Sequence, residues 1–188
     1  MGLHVTRLRS GRVARKDSSH VPVTLRTARL VLRPATVKDI EPLHLLWTEA
    51  DVRRYLWDDL VVPIARVAEV VTCSDVEWRS YGYGIWTVRC ELDEPLIGFC
   101  GFRTAEWRAA PELLFGLTRS VWGNGYALEA ASTALGYALD TLRVPEVVAA
   151  TDGANCASVR VLERLMHFER RGLFHGLDTM FYRVLRAV

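Results

Sequence analysis

The stretch VWGNGYALEAA, residues 121–131, sets Gly123 and Gly125 on either side of Asn124, directly before an apolar pattern of helical period. Glycine weakens a helix, so two of them where one begins need a reason. Without Cβ atoms, successive backbone N–H groups can point the same way. The helix behind them adds unpaired N–H groups and the positive end of its dipole. That combination is an anion site, suited to a phosphate or diphosphate. The spacing is GxG rather than GxGxxG, and no lysine follows as in a Walker A loop; a lone GxG is often only a tight turn. Some thirty residues on, TDGANCASVRVLERL places Asn155 and Ser158 at the start of another helix, where asparagine can cap the helix, reach a ligand, or do both.

The elements that must position these residues follow from periodicity. VTLRTARLVLRPA alternates and ends at Pro34, which predicts a first strand over about 23–33. Thr36 and Asp39 have N-cap spacing and open a helix through Leu43, Leu46 and Trp47. A short helix over 51–57 precedes a longer one that begins near Pro63, with Val67, Val70, Val71, Ser74 and Trp78 on one face. YGYGIWTVRC and EPLIGFCGFR read as a hairpin, and PELLFGL as the next strand. After the glycine turn come a helix to about Leu142, the strand PEVVAAT and a helix with Val159, Leu162 and Leu165 inward. Strands near 168–174 and 178–186 close the chain. Residues 111–151 thus form a βαβ unit, whose helix starts at the carboxyl end of a strand, where open α/β sheets bind ligands.

The 188 residues, half of them apolar, suit one domain with a sizeable core. No apolar run reaches the roughly 18–20 residues of a membrane span, and the polar, basic beginning lacks a signal-peptide pattern; the expectation is a cytoplasmic protein with no membrane partner. Cys73, Cys90, Cys100 and Cys156 form no CxxC and no metal spacing, so reduced thiols and no metal are expected. Lys16 and Lys38 are the only lysines among 24 basic residues. Arg7, Arg9, Arg12, Arg15 and Lys16 face only Asp17, and residues 1–22 are expected to be a disordered basic tail. A nucleic-acid role for this tail is not favoured.

In their order along the chain, WGNGYALEA and TDGANCASVRVLERL resemble the GNAT superfamily of acetyl-CoA-dependent N-acetyltransferases. The branch is the one containing the RimJ and RimL ribosomal-protein alanine N-acetyltransferases. LRTARLVLRPATVKD, PLIGFCGF and PELLFGL agree, and the resemblance covers about residues 23–186. It implies a single α/β domain over 23–188, with a mixed, mostly antiparallel sheet of about six to seven strands flanked by helices. Splayed central strands would bind acetyl-CoA. It also implies that Trp122, Gly123, Asn124, Gly125, Tyr126 and Ala127 hold the CoA diphosphate through backbone amides. Phe115, Gly116 and Leu117 would pair main-chain groups with the pantetheine arm. Asn155 and Ser158 would hydrogen-bond it.

Acetyl transfer needs a neutral amine, and an alkyl ammonium has a pKa of about 8 to 10, so a carboxylate must accept its proton, through a water if need be. Glu112 matches the glutamate this branch often carries and is the expected base; Ser158, His167 or a water is the candidate to assist the thiolate. The tyrosine many relatives use for that is missing from RLMHFERRG, and His167 reads as a surface residue. Cys156 has no basic partner in sequence, so direct attack is expected rather than an acyl-enzyme. Trp47, Trp86, Trp107 and Trp122 read mainly as core. Trp57, Asp58 and Asp59 border the acceptor cleft by analogy, and with Glu106 and Glu112 would give it an acidic mouth.

Three departures matter: Leu114 and Phe115 stand where the branch has glycine and tyrosine, Ser120 where GNAT proteins often have Gln or Arg, and RLMHF replaces KLGF with one residue seemingly added. The acceptor, a protein N-terminus or a small amine, is left open, as is monomer or homodimer. The rival readings are a CoA-binding sensor or interaction domain without turnover, and a nucleic-acid binder acting through its tail.

Overall fold

The computed structural model describes residues 20–187, so the expected basic tail lies outside the described residues except for its last three positions. The chain runs β1 (Leu25–Arg26), β2 (Val31–Pro34), α1 (Ile40–Thr48), α2 (Ala50–Leu56), α3 (Ile64–Tyr81), β3 (Ile85–Arg89), β4 (Gly98–Thr104), β5 (Pro111–Leu117), α4 (Tyr126–Gly136), β6 (Glu146–Asp152), α5 (Cys156–Leu165), β7 (His167–Phe174) and β8 (Leu177–Leu185). The eight strands make one sheet in the order β1-β2-β3-β4-β5-β6-β8-β7. Every neighbouring pair is antiparallel except β5 and β6.

That parallel pair governs the site. β5 pairs with β4 along its whole length, but with β6 only at Glu112 and Val148. Beyond that point the two strands lose register and leave a gap toward their carboxyl ends.

The single first strand expected over 23–33 is two strands, which accounts for the eighth. Thr27 breaks it: its hydroxyl oxygen accepts the N–H of Leu30 at 2.8 Å and of Arg29 at 3.2 Å, making a local turn that competes with the ladder. The expected cap of the first helix forms, with the Asp39 carboxylate accepting the Thr36 N–H at 2.8 Å. Asp39 is buried, and the guanidiniums of Arg33 and Arg89 compensate its charge.

Apolar side chains pack on both faces of the sheet. On one face Leu113, Phe115 and Leu117 of β5 join Val147 and Ala149 of β6 against Ala130, Ala131 and Ala134 of α4. On the other, Leu114 and Phe99 pack with α1, α2 and α3. Strand alternation therefore sends odd residues of β5 toward α4 and even residues toward α2. On β6 the odd residues share the α4 face, so Val148, Ala150 and Asp152 share the opposite one. Trp47 and Trp86 are core residues, as expected, and Trp107 meets the Phe181 ring edge-on at 4.9 Å. The inward face of α5 is Val161, Leu162 and Leu165 rather than Val159, Leu162 and Leu165.

The residue by which RLMHF exceeds KLGF is accommodated after the helix. Met166 ends α5 in an extended conformation with no glycine cap, and β7 starts at once. The extra residue becomes a β-bulge at Glu169, between the Phe168–Tyr182 and Arg170–Phe181 pairs.

Candidate active site

The gap between β5 and β6 opens into a cavity of about 580 Å³. Its walls take residues from both faces of the sheet, Leu113 and Phe115 from one, Leu114 and Gly116 from the other, so it passes through the sheet. One end meets the start of α4; the other is walled by Asp51, Val52, Tyr55 and Leu56 of α2.

At the α4 end, Gly123 and Gly125 adopt left-handed φ values of 80° and 78°. An added Cβ on Gly123 would meet nothing within 4 Å, so conformation rather than space demands glycine there. The Trp122 N–H donates to Arg119 O and the Glu129 N–H to Gly125 O. Between them, the N–H groups of Gly123, Asn124, Gly125, Tyr126, Ala127 and Leu128 have no acceptor among the described residues. This is the nest expected of an anion site.

A latch from the β1–β2 bend fixes the nest. Arg29 Nη1 donates to Asn124 O at 3.0 Å, and its Nε donates to Glu129 Oε2 at 2.7 Å. The Thr27 hydroxyl donates to Glu129 Oε1 at 2.5 Å, and the Arg29 guanidinium lies 4.7 Å from the centre of the Tyr126 ring. Burial opposes ionisation of Glu129, but the hydrogen bonds from Thr27 and Arg29 and the Arg29 charge together hold its pKa below the ordinary value. The Asn124 side chain braces the turn, donating to Val121 O at 3.0 Å.

Along the gap, backbone direction decides which groups are free. The Thr118 N–H donates to Ile97 O at 2.9 Å, so by antiparallel alternation the polar groups of Gly116 point to β4, and those of Phe115 and Leu117 point into the gap. Gly116 thus lines the cavity without offering it main-chain groups, contrary to expectation. It is glycine because a Cβ would come within 2.6 Å of the Phe99 ring. The Leu117 carbonyl already accepts the Trp122 indole N–H at 2.8 Å. Phe115 packs into the core, as its lost hydroxyl predicts.

The Asn155 side chain accepts the Ser158 N–H at 3.2 Å, capping α5, and the residue lines the cavity. Ser158 lines it too, whereas Asn124 and the exposed Cys156 do not. Cys100 is a core thiol whose pKa burial pushes up to about 12, which makes it inert.

The acidic mouth is composed differently from the expectation. Trp57, Asp58 and Asp59 do not line the cavity; Trp57 packs on Trp47 at 5.5 Å and Asp59 pairs with Arg53 at 2.9 Å. Glu106 faces His175 at 3.3 Å. Glu112 is buried, with Oε2 2.7 Å from Arg103 Nε, and is absent from the cavity wall. Asp152, which periodicity did not single out, stands on the α2-facing side of β6. Burial raises its pKa, and the charges of Asp58 and Asp178 raise it further. Its carboxylate has no hydrogen-bond partner among the described residues. Tyr55 was also missed, although Val52, Tyr55 and Leu56 share one helical face; its hydroxyl donates to Ala154 O at 3.3 Å. Among the described residues there is no cluster of His, Cys, Asp or Glu able to hold a metal ion, and no helix long and apolar enough to cross a membrane.

The family model for the acetyltransferase (GNAT) domain matches residues 29–166, and the chain belongs to that family. It is an acyltransferase by family. An uncharacterized N-acetyltransferase, p20 of Bacillus licheniformis, is 26% identical over 164 residues, 86% of this chain and 91% of that protein. The fold is that of an acetyltransferase from Agrobacterium tumefaciens, with a TM-score of 0.77, 23% identity and coverage of 90% of this chain and 98% of that one. It is also that of RimL, a ribosomal L7/L12 alpha-N-protein acetyltransferase solved with coenzyme A, with a TM-score of 0.70, 18% identity and coverage of 85% and 95%.

Proposed function

We propose that this enzyme transfers the acetyl group of acetyl-CoA to a primary amine by direct attack. The observation that carries the reading is the through-sheet cavity, with six unpartnered N–H groups at one end and carboxylates beyond the other. The N–H groups of residues 123–128 would hold the donor's diphosphate, and the main-chain groups of Phe115 and the N–H of Leu117, with Asn155 and Ser158, its pantetheine arm. An N–H aimed into the gap from β5 would stabilise the thioester oxygen as charge develops on it. The thioester supplies an activated acyl carbon and a thiol leaving group of pKa about 8.5, which needs no strong acid to depart.

The acceptor is a cationic amine, either the α-amine of a protein N-terminus or a small molecule; Asp58 and Asp152 supply the field that draws it in. Two carboxylates compete for the role of base. Glu112 shares a strand face with the cavity residues Leu114 and Gly116, but Arg103 holds one of its oxygens. Asp152 is unheld, and burial with the charges of Asp58 and Asp178 moves its pKa upward, the direction that favours a base, but it too stands outside the cavity wall. The acidic limb of the kcat/KM–pH profile assigns the role: it disappears in Asp152→Asn or in Glu112→Gln, whichever removes the base.

Thermal shift with acetyl-CoA tests the donor. At 100 times the dissociation constant the ligand stabilises the fold by about 2.7 kcal/mol, and replacing Gly125 by valine abolishes the shift. A folded, CoA-free wild type that shows no shift refutes the reading.

A further inference from the structure

We infer that the acceptor is a small primary amine on an uncharged apolar body, selected by a wall of Val52, Leu56, Phe99 and Leu114, and is not the end of a peptide. The inference rests on the acetyl-transfer reading above and narrows the acceptor it left open.

Strand alternation divides the cavity. The even residues of β5 face α2, so Leu114 and Gly116 line the α2-facing half, together with Phe99 of β4 and Val52 and Leu56 of α2. Val52, Leu56, Phe99 and Leu114 belong to one apolar cluster. Phe99 lies over Gly116, where a Cβ would come within 2.6 Å of its ring, and Trp47 meets it edge-on at 5.5 Å. Packed from both sides, the ring cannot swing away, and the shape of this half is set by the core rather than by a loop.

The chemistry of the wall excludes charge and peptide alike. Among the described residues, the polar side chains of this half are Asp51 and Tyr55, and both are engaged: Asp51 pairs with Arg119 at 3.1 Å, and the Tyr55 hydroxyl donates to Ala154 O at 3.3 Å. An ammonium or a peptide group set against this wall loses its water and meets no free side-chain partner. An alkyl surface is stabilised there. Asp58, Asp152 and Glu112 stand outside the cavity wall, so the carboxylates act on the amine before it enters. One proton leaves the ammonium for a carboxylate. The neutral nitrogen then forms the C–N bond as the thioester C–S bond breaks, and its second proton ends on the departing thiolate.

Turnover of acetyl-CoA, read as released thiol, with n-propylamine through n-hexylamine tests the assignment, because these amines share one basicity and differ in apolar length. The value of kcat/KM should rise about three- to fourfold per methylene until the wall is covered. n-Pentylamine should exceed putrescine, the same chain with an ammonium in place of the terminal methyl, by at least about tenfold. A peptide beginning with alanine should be the poorest acceptor of all. Leu114→Ala should move the optimum to a longer chain. Leu114→Asp should reverse the preference between pentylamine and putrescine, which loss of fold cannot do. Isothermal titration with CoA accompanies each assay. If CoA binds but putrescine or the peptide equals pentylamine, or no amine of the series is acetylated, the inference is overturned and the donor reading stands. A folded wild type that binds no CoA removes both.

Discussion

The indole N–H of Trp122 donates to the carbonyl of Leu117 at 2.8 Å, across the turn that joins the end of β5 to the glycine nest. One side chain thereby couples the strand that borders the gap to the loop that opens α4. Trp122→Phe keeps a ring but deletes the donor. It should cost about 1 kcal/mol of stability and weaken donor binding while leaving acceptor KM unchanged. Urea denaturation and titration with CoA measure the two effects; an unaltered donor affinity would show the coupling to be irrelevant to the site.

At Gly123 space is open, so side-chain effects follow the backbone alone. Alanine at a left-handed φ costs about 1–2 kcal/mol, asparagine less. Stability by chemical denaturation should therefore fall in the order Gly, Asn, Ala, Val. Alanine equal to glycine would mean that the turn relaxes out of the left-handed region.

The latch through Glu129 makes an acid-dependent contribution with a definite sign. Its folded pKa lies below the ordinary 4.5, so its stabilisation is fully present above the unfolded value and is lost as pH falls through the folded one. Glu129→Gln should be less stable than wild type near neutrality, and the gap should close as the medium is acidified below the ordinary carboxylate range. A gap independent of pH would contradict the assigned cause.

Tyr55 joins α2 to the turn before α5 through a single hydrogen bond to Ala154 O, on the side of the cavity assigned to the acceptor. Tyr55→Phe should change stability by less than about 1 kcal/mol, raise acceptor KM several-fold and leave CoA affinity intact. The reverse pattern, weaker CoA and unchanged acceptor KM, would place Tyr55 on the donor side.

Much of this arrangement is legible in the sequence, for local reasons. Gly123, Gly125, Asn155 and the capping pair Thr36 and Asp39 declare themselves because the conformations they serve involve only neighbouring residues. Alternation in PELLFGL gives the strand and its two faces. The bend at Thr27 escapes notice because TLRTARLVLR alternates through the local turn its hydroxyl makes, and the carboxylate that hydroxyl meets, Glu129, lies 102 residues away. The partners of Glu112 and Glu106 escape for the same reason: a carboxylate's role depends on which cation the fold brings beside it, and Arg103 and His175 are set by register and loop path. Asp152 was hidden at the end of a strand, where an acidic residue usually means solvent.

Because the cavity perforates the sheet, the proposed donor and acceptor would meet walls drawn from different segments: the former from the β5–α4 turn and α5, the latter from α2 and the end of β6. Those segments can diverge on separate schedules. Insertions or substitutions in residues 50–60 could reprogramme which amine is chosen without disturbing the nest, and a lineage keeping one donor could explore many acceptors. For directed evolution, a library confined to the α2 segment and to Asp152 should retain CoA binding in most members while altering acceptor preference.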